Sequence, residues 1–184
     1  MTAIAVAAMS MMVMFAFMTG MKSNLLENLQ TYMTGEIRVR HEEFDKFEHL
    51  HPIHLRIPSY QTAVDRIKEV EGITAAAPRI SVPGQVYLDD ERYFLSGMAI
   101  DPGLEREYQD IDSRIDRGRL PKKGENEAAL GMAAAERMGL GIGDTFTMLT
   151  KTMYRGTNAV TFTLTGIVNF PVDSLNMNTF YAPL

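Results

Sequence analysis

Residues 128–148, AALGMAAAERMGLGIGDTFTM, decide how this chain folds. Ala128 to Leu130 can form only a short strand. Gly131 then turns a corner, and Met132 to Met138 is rich in good helix formers. Gly139, Gly141 and Gly143 break that helix, because glycine tolerates the left-handed backbone at which helices end. Asp144 opens a β-rich run, Thr145 to Tyr154, and Arg155-Gly156-Thr157-Asn158 joins it to a second, Ala159 to Val168, as a hairpin. Strand, corner, short helix and hairpin in this order predict an α+β domain with a mixed or antiparallel sheet and a few helices.

Moving upstream, Glu36-Ile37-Arg38-Val39-Arg40 alternates polar and apolar residues and predicts a strand with one face on a core. Ser59 is placed to cap a helix over Tyr60 to Glu71, with Ala63, Val64, Ile67 and Val70 on one face and Gly72 beyond the end. Arg66 and Glu69 are spaced to pair on the other face. Ile73 to Val82 reads as strand. Gln85 to Leu88 and Arg92 to Gly97 flank Asp89-Asp90-Glu91, a hairpin turn in which Asp is favoured for backbone reasons. Leu104 to Ile115 is a charged surface helix or irregular segment. At the far end, Thr179 to Ala182 is one more strand.

The other end of the chain is a different material. Residues 1–21, MTAIAVAAMSMMVMFAFMTGM, carry no charge, and the first ionisable side chain is Lys22. A hydrocarbon layer of roughly 30 Å needs about 20 apolar residues as a helix, so this segment is expected to span a membrane. No basic residue precedes the apolar run, and Ala5-Val6-Ala7 lies too early in it to end a cleaved leader. Leu25, Leu26, Leu29 and Tyr32 continue a helical stripe to about Met33, before Gly35. The expected organisation is therefore a membrane helix at 1–21, continuing to about 33, and a separate domain over 35–184.

Seven of the 14 methionines fall in residues 1–21, and Met11, Met14, Met18 and Met21 recur along one helical face. Thioether side chains adapt to irregular apolar surfaces. Met11, Met14, Phe15 and Met18 are thus candidate contacts for a lipid-like substrate or a partner helix, against the plainer reading of lipid-facing filler. Ala3 and Ala7 form a small-xxx-small pair.

Composition closes several routes. The formal charge is −5 with a pI near 5.4, which gives no electrostatic footprint for nucleic acid. There is no cysteine, so disulfides, thiolate metal sites and cysteine nucleophiles are excluded. All four histidines, His41, His49, His51 and His54, lie between 41 and 58. Their spacing supplies no zinc motif, and Pro52 and Pro58 mark the segment as loop. Gly141-Ile142-Gly143 lacks the third glycine and the strand-to-helix context of a dinucleotide fingerprint. No phosphate-binding GxxxxGK[ST] loop and no GxSxG elbow is present. No catalytic residue, metal site or cofactor is expected in the chain.

The segment from Ala128 to Met148 resembles the v-l-G-x-x-x-A-x-x-L-g-l-x-x-G-D-x-v-x-l pattern of the MacB-like periplasmic core domain. That domain occurs in ABC-transporter permeases of the MacB/FtsX/LolC-LolE type. Gly35-Glu36-Ile37-Arg38-Val39 is similar to the family's first strand after its membrane helix, and Val70 to Ile80 to its i-p-G-V-x-a-a-x-P-x-i stretch. Ala99-Ile100-Asp101-Pro102, with Glu105, resembles the G-I-D-P-x-x-E signature of the lipoprotein-releasing branch, with Ala99 in place of its glycine. Phe162 to Val168 resembles the late f-x-v-x-G-i-f strand.

The resemblance covers nearly the whole chain and is closest to the lipoprotein-releasing branch. It implies an extracytoplasmic domain on one membrane helix in the cytoplasmic (inner) membrane, and structural roles for Gly131, Gly143, Asp144, Asp101 and Pro102. Family members carry three further membrane helices after this domain, so the sequence reads as the N-terminal part of such a permease, or as one half of a split gene. ATP would be bound by a separate ABC ATPase subunit. Further partners would be a second permease subunit or the later helices, membrane lipid, and lipoprotein cargo or a periplasmic chaperone. The implied function is coupling of ATP-driven motion to lipoprotein release. MacB-like efflux or mechanotransmission, and a membrane-anchored sensor or adaptor, are the alternatives.

Overall fold

The computed structural model describes every residue except Met1, residues 49–51, residue 89 and residues 152–155. It separates into two compact units, Met1–Val39 and Arg40–Leu184.

The first unit is one long helix, α1 (Thr2–Leu29), followed by a π-helical turn at Gln30–Thr34. Gly35 ends the run with φ 73°, and its N–H donates to the Gln30 carbonyl at 2.7 Å. No acidic residue stands in the first turn of α1 and no basic residue in its last, so helix-dipole pairing contributes nothing there. The two polar side chains in the middle of the apolar run bond back to the helix. Ser10 Oγ donates to the Val6 carbonyl and Thr19 Oγ1 to the Phe15 carbonyl, both at 2.9 Å. Such i−4 bonding satisfies hydroxyls where water is absent.

The strand expected at Glu36–Arg40 does not form. The backbone there is bend and coil, and Ile37 and Val39 are 73% and 59% exposed. Alternation alone makes a strand only when a neighbour supplies hydrogen bonds, and none of the ladders takes in these residues.

The second unit begins with a short helix, α2 (Phe44–Phe47), a 3-10 turn at Ile53–Leu55, and α3 (Tyr60–Lys68). Ser59 does not cap α3 through its side chain, because its backbone is left-handed (φ 53°), away from normal cap geometry. The helix closes at Glu69, before Gly72, which takes φ 90°.

Seven strands follow: β1 (Arg79–Leu88), β2 (Glu91–Ile100), β3 (Ile115–Gly118), β4 (Glu127–Gly131), β5 (Thr145–Lys151), β6 (Thr157–Val168) and β7 (Thr179–Pro183). The two runs read separately around Pro83-Gly84 are one strand, and β1 starts at Arg79 rather than Ile73. β1 and β2 pair antiparallel from Arg79↔Ile100 to Leu88↔Glu91, and Asp90 takes the left-handed turn position at φ 65°. β5 and β6 form the expected hairpin, closed by Lys151↔Thr157; Thr157 and Asn158, read as turn, belong to β6, and residues 152–155 lie outside the described residues.

The sheet order is β3-β6-β4-β7-β2-β1-β5, and β5 also pairs with β6. Six strands therefore close on themselves, β6–β4–β7–β2–β1–β5–β6, with β3 added beside the end of β6. The β2–β7 and β4–β6 pairs are parallel and the rest antiparallel, so the sheet is mixed. α4 (Pro102–Tyr108) follows β2, α5 (Met132–Met138) follows β4, and α6 (Asp173–Asn178) precedes β7. This is the α+β class read from the sequence.

The ring's interior is the core. Val86, Leu95, Phe146, Met148, Phe162, Leu164 and Phe180 face one another, and α5 adds Ala134, Ala135 and Met138. Space is tight at two inward glycines. A Cβ on Gly97 would stand 1.8 Å from the Phe180 ring, and one on Gly84 would stand 2.3 Å from Met148 Sδ.

Candidate functional site

Met11, Met14, Phe15 and Met18 are all on α1 and are 63%, 64%, 64% and 56% exposed. They share one face, as helical spacing requires. Val6, Val13 and Phe17 on other faces are just as exposed, so burial does not single out the methionine face. What the geometry establishes is a helix whose stretch before Lys22 is apolar on every side. Residues Ala3–Tyr32 are long and apolar enough to cross a membrane.

The glycine corner is built from close backbone contacts. Gly131 ends β4 and starts α5, and a Cβ there would lie 2.5 Å from the Asn176 carbonyl oxygen of α6. Asn176 in turn brackets Phe170, accepting from its N–H at 2.7 Å and donating to its carbonyl at 2.8 Å. α5 ends at Gly139 in the left-handed conformation, and the Leu140 N–H donates to the Ala135 carbonyl. At the next turn Gly143 takes φ 96° and donates to the Leu164 carbonyl at 2.8 Å. Asp144 Oδ2 accepts from the Gly141 N–H at 2.8 Å, and the Asp144 carbonyl accepts from Leu164 N–H. Gly143 and Asp144 thus fasten the start of β5 to β6.

Asp101 and Pro102 start α4. Asp101 is its N-cap, with Oδ1 accepting from the N–H groups of Gly103 and Leu104, and Pro102 fills the first helical position, where a missing N–H costs nothing. The other oxygen is also engaged. Asp101 Oδ2 accepts from Tyr60 OH at 3.1 Å and from Lys123 Nζ at 2.9 Å, while Lys123 Nζ also reaches Tyr60 OH at 3.0 Å. Burial pushes the Asp101 carboxyl upward, but the bonds from Lys123, Tyr60, Leu104 and Gly103 outweigh it and hold it below the usual range. The Tyr60 and Asp101 bonds raise the Lys123 ammonium. Three segments distant in sequence are tied here, and Lys68 pairs with Glu107 to fix the other end of α3 on α4.

Glu105, quoted in the sequence only as a motif member, is fully buried. Arg79 grips it with both arms, Nε to Oε2 at 3.1 Å and a terminal nitrogen to Oε1 at 2.5 Å, and lies 4.7 Å from the Tyr108 ring centre. Gln109 donates a further bond to Oε1, leaving its own Oε1 buried without a partner. Burial works against the Arg79 charge, yet Glu105 holds its pKa above the ordinary value. A carboxylate occupied at both oxygens by such partners is poorly placed to serve as a general base; it clamps α4 to β1. Nothing local in the sequence marks Tyr60, Arg79 or Lys123 as partners, because the spacings are 41, 26 and 22 residues.

At one end of the ring is a cavity of about 340 Å³ walled by Val82, Met148, Val160, Phe162 and Phe180. Gly124, Glu125 and Asn126 form its rim. The rim loop is held at its base by Arg119, which pairs with both oxygens of Glu127 at 2.7 and 2.5 Å. The Lys122 N–H adds a third bond at 2.8 Å. The Arg119 bond, working against burial and aided by Lys122, brings the Glu127 pKa down to about 2. Among the described residues no group of three His, Asp or Glu side chains could hold a metal ion. His41 Nδ1 accepts from the Glu43 N–H, and His49 and His51 lie outside the described residues.

The chain combines a mixed-sheet α+β unit with a helix long and apolar enough to cross a membrane. The chain belongs to the MacB-like periplasmic core domain family, whose model matches residues 1–184. No curated protein matches it. Membership makes it a permease-type periplasmic domain of an ABC transporter, a family of transport components, at the inner membrane. An ABC ATPase and partner permease subunits are its general partners.

Proposed function

We propose that the chain is a single-pass part of a permease that couples the motion of a separate ATPase subunit to lipoprotein release at the inner membrane. The observation that carries this reading is the length of α1. Its 28 residues span roughly 42 Å at 1.5 Å per residue, beyond the roughly 30 Å of a hydrocarbon layer. The excess emerges as continuous helix, and the helical backbone runs on to Thr34. A stiff rod of this kind transmits displacement from the cytoplasmic side outward. ATP binds elsewhere, and the domain does mechanical work without chemistry of its own. Gly131, Gly143, Asp144, Asp101 and Pro102 serve the rigidity of that domain.

Met11, Met14, Phe15 and Met18 are the proposed contacts for an acyl chain of the cargo or for a neighbouring helix. Later membrane helices of the permease, membrane lipid and a periplasmic chaperone complete the proposed partners. Copurification in mild detergent tests the coupling, with an ABC ATPase subunit expected in the complex and its repeated absence contradicting the reading. A photo-crosslinker at position 14 tests the contact. Capture of a lipidated protein supports it, and capture of bulk lipid alone refutes it.

A further inference from the structure

We propose that α3 is a releasable strap: a helix held to α4 by a polar clasp at each end, whose detachment lengthens the chain leading into the ring while the ring stays folded. Its role rests on the proposed coupling, because the covalent path from α1 to β1 runs through residues 40–78. Among the described residues of that stretch none joins a strand ladder, and α3, with nine residues, is the longest element. Motion carried along the backbone therefore meets α3 before it meets the sheet.

The clasp has a fixed side and a loose one. α4 is locked to β1 by Arg79 on the fully buried Glu105, and Lys123 belongs to the loop that Arg119 and Glu127 anchor. α3 is the loose side. Among the described residues, its side-chain bonds to other elements come from its two terminal residues alone. Tyr60 OH meets Asp101 Oδ2 and Lys123 Nζ at one end, and Lys68 pairs with Glu107 at the other. Between them Val64 is the one buried residue of α3, and it is not part of the core inside the ring. The Lys68 and Glu107 side chains are 34% and 55% exposed, so water and salt compete for that pair.

Release leaves the ring undisturbed. When Tyr60 departs, Lys123 Nζ keeps its 2.9 Å bond to Asp101 Oδ2, and Asp101 Oδ1 still caps α4. No charge is left buried without its partner. The backbone turns on both flanks of α3. Ser59 is left-handed at φ 53°, a conformation disfavoured for a residue with a Cβ, so it relaxes once freed. Gly72, at φ 90°, is a pivot that glycine adopts without that penalty. A helix this short does not persist alone in water, so detached α3 unravels. Its residues then advance about 3.3 Å each instead of about 1.5 Å, which adds about 16 Å of reach. The strap thus sets how far the entering chain travels before its pull reaches β1.

Hydrogen exchange read by mass spectrometry, on the full chain in lipid nanodiscs, tests the strap by comparing the amides of residues 64–68 with those of β2 and β6. In the parent chain the α3 amides should be protected, yet exchange through an opening that leaves both strands closed. Tyr60→Phe combined with Glu107→Gln removes a hydroxyl and a charge from the clasp while Asp101, Lys123 and the ring core stay as they are. This double variant should speed α3 exchange about tenfold and change β2 and β6 by less than about twofold. Raising ionic strength from about 0.05 to about 0.5 M should speed α3 exchange in the parent and much less in the variant. Absence of α3 protection in the parent would overturn the proposal, and so would unchanged α3 exchange in the variant. Acceleration of α3 and both strands together would overturn it too, because α3 would then open only with the ring. The readout needs neither ATPase nor cargo, so its failure leaves the coupling standing, and a failed copurification leaves the strap standing.

Discussion

α1 and the strand ring handle apolar surface in opposite ways. In the ring, Val86, Ile100, Leu130 and Leu164 are all 0% exposed, because each strand buries its side chains against the others. Along α1, Ile4, Met9, Met12 and Phe17 are 68–73% exposed, and no side of the helix is different. Soluble proteins rarely leave contiguous apolar patches above a few hundred Å² uncovered. The ring supplies its own solvent, and α1 needs one from outside: the lipid. Substitutions should therefore separate cleanly into those that harm the fold and those that harm membrane residence.

The largest effect is expected from Glu105→Gln, which leaves the Arg79 charge buried without its carboxylate. Removing one partner of a buried pair typically costs about 3–5 kcal/mol. The unfolding free energy from urea titration should fall by that amount, while membrane fractionation stays unchanged. Phe15→Asp should do the reverse. A carboxylate at the centre of a membrane helix costs about 2.5–3.5 kcal/mol in insertion, so protein should appear outside the membrane fraction with its sheet unit still folded, as read by circular dichroism. Joint failure of both properties in either variant would break the contrast.

Glycine sharpens it further. Gly97→Ala forces a methyl against Phe180 and should destabilise the ring by about 1–3 kcal/mol. Gly20→Ala in α1 meets nothing within 4 Å and should be neutral or slightly stabilising, with helix content by circular dichroism as the check. The smallest effect belongs to Glu127. Its folded pKa of about 2 lies below the 4.5 of a free glutamate, so its contribution is complete above about pH 5 and fades as pH falls toward 2. Acid unfolding of Glu127→Gln should be less steep in that window than that of the parent chain.

Hairpins were legible because their signal is local. The β-rich runs Thr145–Tyr154 and Ala159–Val168 with turn residues between them mark β5 and β6, and the acidic run before Arg92 marks the turn from β1 to β2, where Asp90 is left-handed. Gly131 and Gly139 likewise mark the corner and end of α5 in sequence, and Gly143 the turn into β5. The parallel insertion of β7 between β2 and β4 was not legible, since no short-range pattern specifies which strand will neighbour it. β3 and α6 are too short to carry a period. Glu36–Arg40 carried a strand pattern without a partner, and the pattern lost. The Tyr60–Asp101–Lys123 and Arg79–Glu105 contacts join distant segments, so they emerge only once the ring has closed.

Cysteine accessibility tests the account's centre most directly, in a chain that has none of its own. Met14→Cys and Thr161→Cys variants would be exposed to a membrane-impermeant maleimide in cells with a permeabilised outer layer. Thr161→Cys should label at once, and Met14→Cys should label only after detergent denaturation. Rapid labelling of Met14→Cys in a protein recovered from the aqueous fraction would contradict the membrane rod and the permease built on it.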